Sequence, residues 1–129
     1  MMAQKYPSPA DRYKKSLIQT SILFPVAKPL MAKLNWPSLF CNTLEVADSG
    51  EITGYKMRCE KSKLTTVKAL QSCGFDTIAA GDSFNDLAMI QASRAGFLFK
   101  STDAIKADYP GIPAYEDFPD LLNAIKAAL

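Results

Sequence analysis

"AAGDSFNDLAMIQAS", residues 79–93, sets two small residues and a glycine ahead of Asp82, Asn85 and Asp86 and then passes at once into an apolar pattern of helical spacing. The run before it, Thr77 to Gly81, is short, apolar and closed by glycine, and Leu87, Met89 and Ile90 after it suit a buried helix face. The stretch reads as strand, turn, helix. In open α/β sheets ligands bind beyond the carboxyl ends of the strands, so Asp82, Asn85 and Asp86 stand at the functional edge. Carboxylates with a few waters are what Mg²⁺ accepts, and Mg²⁺ in turn holds phosphate oxygens. The competing reading is that Asp82 or Ser83 caps the helix and the other acids are solvated turn residues.

Working outward, the same alternation of short apolar runs and helical patterns continues in both directions. "SLIQT" (16–20) is a strand candidate; after Ser21, Val26, Leu30, Met31 and Leu34 recur at helical spacing, with Pro29 expected near the first turn and Pro37 closing the segment. "SLFCN" (38–42) is a further short strand. "TLEVADSGEITGYKMR" (43–58) holds two alternating segments around Asp48-Ser49-Gly50, a hairpin signal. "KSKLTTVKALQSCG" (61–74) predicts an amphipathic helix with Leu64, Val67 and Leu70 inward and Gly74 as its stop. After the central motif come a strand at 94–100, a short capped helix in "STDAIKADYP" and a final amphipathic helix in "YEDFPDLLNAIKAAL". Strands alternating with helices predict an α/β fold, a doubly wound, Rossmann-like parallel sheet, here with a β-hairpin. Residues 1–15, polar and carrying Pro7 and Pro9, are expected to be a flexible leader, and 16–129 the core domain.

Composition narrows the functional classes. The 129 residues suit one domain with a single core, and 48% hydrophobic with 22% charged residues is a globular balance. A net charge of +2 with dispersed basic residues gives no case for a nucleic-acid partner. No apolar run approaches the roughly 18 residues of a membrane span. The opening "MMAQKYPSPADRYKK" has no apolar core of a secretory signal. Cys41, Cys59 and Cys73 are odd in number, widely spaced and without any histidine nearby, so they read as reduced cytoplasmic thiols. The lack of histidine also excludes every mechanism with imidazole as base.

"AAGDSFNDLAMIQASRAGFLF" resembles the fourth motif and following strand of the haloacid dehalogenase superfamily. "PLMAKLNWPSLFCNTLEV", "GEITGYKMR" and "IAAGDSFND", in that order, are similar to its phosphoserine phosphatase and homoserine phosphotransferase branch, from about Lys15 to the end of the chain. The resemblance implies Mg²⁺-dependent phosphatase or phosphotransferase chemistry on a small phosphorylated metabolite such as phosphoserine. It implies that Thr20 holds the transferring phosphoryl group, that Lys63 neutralises phosphate charge, that Asp82 ligates Mg²⁺, that Asn85 orients phosphate, and that Asp86 supports the metal indirectly. Tyr55 and Arg58, on the hairpin, stand where they could reach a ligand or simply cover a sheet edge.

The family's attacking aspartate belongs to an Asp-x-Asp pair on a first strand, and these 129 residues contain no Asp-x-Asp; Ser21 stands where relatives have a second aspartate after the Ser or Thr. Without a nucleophile the chain has no catalytic residue of its own, and Mg²⁺ binding is expected to be weak or absent. The first strand is central in the family. Its loss leaves two expectations: the second and fourth family strands pair directly, or the gap is filled by a second copy or a partner strand. Two further readings are a catalytically silent module for Mg²⁺, phosphate or oligomerisation, and Asp82 as a phosphoacceptor, which is disfavoured because no acidic cluster sits on an earlier strand.

Overall fold

The computed structural model describes residues 2–5 and 14–129. Its elements are β1 (Met2–Lys5), β2 (Lys14–Leu23), α1 (Phe24–Lys33), β3 (Ser38–Val46), β4 (Ile52–Lys56), α2 (Ser62–Ser72), β5 (Phe75–Gly81), α3 (Phe84–Ala92), β6 (Ala95–Phe99), α4 (Asp103–Asp108), β7 (Ala114–Tyr115) and α5 (Phe118–Ala127). They build one seven-stranded sheet of order β4-β3-β2-β1-β5-β6-β7. β2 and β3 pair in parallel, as do β5 with β6 and β6 with β7, whereas β1 is antiparallel to both β2 and β5. The expected α/β architecture with a mainly parallel sheet is therefore observed.

The opening of the chain departs from expectation. Where residues 1–15 were read as a leader, Met2–Lys5 form a strand in the middle of the sheet, and β2 already begins at Lys14. Met2, Ala3 and Gln4 face Ser16, Lys15 and Lys14 on one side, and Met2 to Lys5 face Ile78 to Phe75 on the other. The expected direct pairing of β2 with β5 is thus replaced by an intervening strand from the chain's own start. Four short, partly polar residues carry no sequence alternation; what recruits them is the backbone hydrogen-bonding demand of the two long strands on either side.

The hairpin around Asp48-Ser49-Gly50 is present: β3 and β4 pair antiparallel, Thr43 opposite Lys56 and Leu44 opposite Tyr55. The two strand candidates at 38–42 and 43–46 are one continuous strand, parallel to β2 in its first half and antiparallel to β4 in its second.

In α1 it is Pro25 that takes the first turn, while Pro29 lies inside the helix and leaves the Pro25 carbonyl without its usual donor, on an exposed face where water can serve. Ala27 and Met31 are its buried residues, whereas Val26, Leu30 and Leu34 are half or more exposed. The main core lies beyond β1, where Val67 of α2, Ala79 of β5, Leu87, Met89 and Ile90 of α3, Leu98 of β6 and Ile105 of α4 pack together. Gly74, at φ +82, ends α2 in the left-handed conformation that glycine adopts without a Cβ clash.

Candidate functional site

The site is set by how closely α3 folds back on the end of β5. β5 stops at Gly81, and a Cβ on that residue would lie 2.4 Å from both Cβ and Cγ of Asp86. Only glycine admits the carboxylate there. Asp86, 5% exposed, then reaches back to the turn: its Oδ2 accepts from the Asp82 N–H (3.2 Å), the Ser83 N–H (3.2 Å) and the Ser83 hydroxyl (3.0 Å). Two amides that the start of α3 would otherwise leave orphaned are satisfied by one side chain.

The other oxygen of Asp86 accepts from Lys63 Nζ at 2.5 Å, and the two side chains are 7% and 17% exposed. Sequence reasoning named Lys63 and Asp86 separately; α2 and α3 bring them together. Burial pushes the Asp86 carboxyl up, but the hydrogen bond and charge of Lys63, with the Ser83 donors, outweigh it and hold the group below its ordinary value of 3.8. A depressed carboxylate contributes stability that is full above its unfolded pKa and is lost as pH falls through the folded one. We expect an acid limb in urea-denaturation stability beginning near pH 4 and continuing below it, shallower in Asp86→Asn; identical limbs in the two proteins would refute the assignment.

Asp86, expected to support a metal, thus has both oxygens engaged, and what it supports directly is the Asp82-Ser83 turn and Lys63. Asn85 is exposed and, with Lys61, Lys63 and Leu64 of the α2 start, Met57 and Ala88, lines an open groove of about 430 Å³. Asp82 is exposed on the other flank of the turn, in a groove of about 290 Å³ with Ala80, Gly81, Phe99, Lys100 and Leu121. Its main-chain carbonyl accepts from the buried Ser101 hydroxyl at 2.9 Å. Ser101 was not singled out in the sequence, where it is one hydroxyl in a Lys-Ser-Thr run; its contact appears only once β6 lies beside β5. Thr20 falls within β2, and its side chain, expected at the phosphate, lies outside the described residues.

Arg58 is turned onto the protein. It donates to the Thr66 hydroxyl (2.6 Å) and the Ser62 carbonyl (3.0 Å), and its guanidinium lies 4.9 Å from the Phe40 ring centroid, tying β3 to α2. Tyr55, 65% exposed, stays on the hairpin surface.

Among the described residues no three carboxylate, cysteine or histidine side chains cluster as a metal would require, and with Asp86 committed only Asp82 offers an unengaged carboxylate here. These residues do not make a resident Mg²⁺ site. The three cysteines form no disulfide, and among the described residues no helix is long and apolar enough to cross a membrane.

Comparison with known proteins gives the lineage. No family model matches the chain. It is 35% identical over 105 residues to phosphoserine phosphatase ThrH of Pseudomonas aeruginosa, covering 81% of this chain and 51% of that protein. It is 32% identical over 105 residues to the phosphoserine phosphatase of Pseudomonas syringae pv. tomato, covering 81% and 44%. The fold matches a probable phosphoserine phosphatase from Vibrio cholerae in unliganded form (TM-score 0.69, 23% identity, 89% of this chain and 38% of that one). It matches a substrate-bound phosphoserine phosphatase equally well (TM-score 0.69, 21% identity, 85% and 55%). The chain spans about half the length of the curated relatives it matches. In sequence it is similar to part of two curated phosphoserine phosphatases, and in fold to part of solved phosphoserine phosphatases.

Proposed function

We propose that this chain is a phosphomonoester-binding core of phosphatase ancestry that takes small ligands such as phosphoserine and does not by itself turn them over. The carrying observation is the Lys63–Asp86 pair, which rigidifies the Asp82–Asn85 turn at the carboxyl edge of β5 and keeps a cation beside Asn85. Phosphoryl transfer asks a protein mainly for positioning and charge neutralisation. Lys63 and Asn85 would supply these, with Thr20 proposed as a third phosphate ligand from the end of β2. The attacking group is what the described site lacks: Asp86 is buried and fully engaged, and Asp82 is proposed as at most a weak Mg²⁺ ligand.

Catalysis would need an aspartate-bearing segment supplied by a longer product or a partner chain. The three free thiols favour a reducing, cytoplasmic setting. The test combines amide chemical-shift titration with phosphoserine and a hydrolysis assay on p-nitrophenyl phosphate with Mg²⁺. We expect millimolar binding with shifts at Lys63 and Ser83–Asp86, and no turnover above background. Absence of any shift would overturn the binding assignment. Robust Mg²⁺-dependent turnover would overturn the silent one.

A further inference from the structure

The groove beside Asn85 has a second wall that the phosphate reading leaves unused. Arg58 builds it. Its N–H donates to Asn42 Oδ1 at 3.1 Å and its guanidinium to the Ser62 carbonyl and the Thr66 hydroxyl, so the chain between β4 and α2 is anchored to β3 on one side and to the helix on the other. Met57, the residue before that anchor, is thereby held at the groove with 57% of its surface exposed. Leu64 of α2 and Ala88 of α3 line the same groove, Ala88 three residues beyond Asn85 and so on the same side of the helix. The polar wall holds Lys61, Lys63 and Asn85. Among the described residues no carboxylate lines the groove, and Lys61 forms no ion pair. Asp86 is buried with both oxygens engaged, so it offers nothing to a ligand there.

We propose that this groove binds phosphomonoesters whose organic part is apolar, and that Met57 is the residue that reads that part. With the phosphate against Lys63 and Asn85, the organic part runs onto Met57, Leu64 and Ala88. A ligand ammonium placed on that wall meets two lysines and no carboxylate, which is repulsive. The amino group of a ligand such as phosphoserine therefore gains nothing there, whereas an alkyl chain gains by leaving water. Methionine suits the task, being unbranched and able to adapt to irregular apolar shapes. The volume of about 430 Å³ falls in the range of roughly 300–1,000 Å³ usual for small-molecule sites and leaves room for several carbons beyond the phosphate.

This assignment rests on the phosphate-binding reading, and the experiment separates the two. Dissociation constants are measured by chemical-shift titration for ethyl, propyl and butyl phosphate and for O-phosphoethanolamine, which carries an ammonium where propyl phosphate has a methyl group. The proteins are the wild-type chain, Met57→Ser, Met57→Leu and Ile52→Ser, the last removing an exposed apolar side chain elsewhere on the hairpin. We expect affinity in the wild type to rise about twofold with each added methylene, short of the roughly fourfold that full burial gives. Propyl phosphate should bind about fivefold more tightly than O-phosphoethanolamine. The rise along the alkyl series should flatten in Met57→Ser and persist in Met57→Leu and Ile52→Ser. Equal affinities along the series in the wild type, with shifts at Asn85, would overturn the apolar wall and leave the phosphate site standing. A rise that survives Met57→Ser, or a preference for O-phosphoethanolamine, would overturn it as well. Absence of binding by all four would overturn both assignments.

Discussion

Ala3→Pro is expected to lower the unfolding free energy by about 2–4 kcal/mol and to make the protein self-associate. Ala3 is the middle of β1 by register, opposite Lys15 of β2 and Thr77 of β5. Proline cannot donate to a ladder and is tolerated in sheets only at edges and bulges, whereas β1 is central. The loss comprises the missing hydrogen bond and the carbonyl opposite it, each about 1–2 kcal/mol when shielded from water. Set against total stabilities of roughly 5–15 kcal/mol, this is a large fraction. A displaced β1 would leave β2 and β5 with open edges in the middle of the sheet, which is where a second chain would pair. Urea denaturation and light scattering check both parts; an unchanged midpoint and a monomer would show that β1 adds little to the sheet.

The second large effect is expected at Lys63→Met, a change that keeps most of the side-chain volume. Removing one partner of a buried ion pair leaves an uncompensated charge, at about 3–5 kcal/mol; the three turn donors that Asp86 keeps put the expectation at the lower end, about 3 kcal/mol. The diagnostic is the double variant. In Lys63→Met with Asp86→Asn the stranded charge is gone while an amide oxygen still accepts from Ser83, so most of the stability should return. Phosphate binding should not return, because the ammonium is still absent. Stability that stays low in the double variant would mean that Lys63 acts through its packing; binding that recovers would remove Lys63 from the phosphate site.

Much of the fold could be read from local pattern. Gly81 as a strand end, the turn at Ser49-Gly50, and Leu87, Met89 and Ile90 as a buried face all follow from residue types at short range, and all are observed. What escaped was tertiary. Met2–Lys5 has no strand pattern and becomes a strand because two longer strands flank it. In α1 the apolar spacing pointed to Val26, Leu30, Met31 and Leu34, of which only Met31 is buried, and Ala27 joins it. Both choices depend on neighbours distant in sequence, which propensity does not contain. At the site, the Asp82–Asp86 turn was legible as a motif, and Lys63 was identified only through family resemblance. That Lys63 and Asp86 are each other's partner, and that Lys100 and Ser101 flank Asp82, required the packing of α2, β5 and β6 side by side.

β1 also divides the molecule in a way that bears on how it assembles. In the sheet, β2, β3 and β4 come from one continuous stretch of chain and β5, β6 and β7 from the next, and among the described strands only β1 touches both sets. Each set can form from near neighbours, with little loop to close. Joining Ala3 to Thr77 closes more than half the chain at once, and the entropy of that closure is recovered only after both sets exist. The interior is shared unevenly too, since the packed cluster from Val67 to Ile105 lies wholly on the β5 side. The β2–β4 portion can therefore open while the β5 portion stays closed, as a cooperative unit of lower stability hinged on four residues. Amide exchange would sense that seam as two families of opening energies, with the turn that carries Asp82 on the durable side.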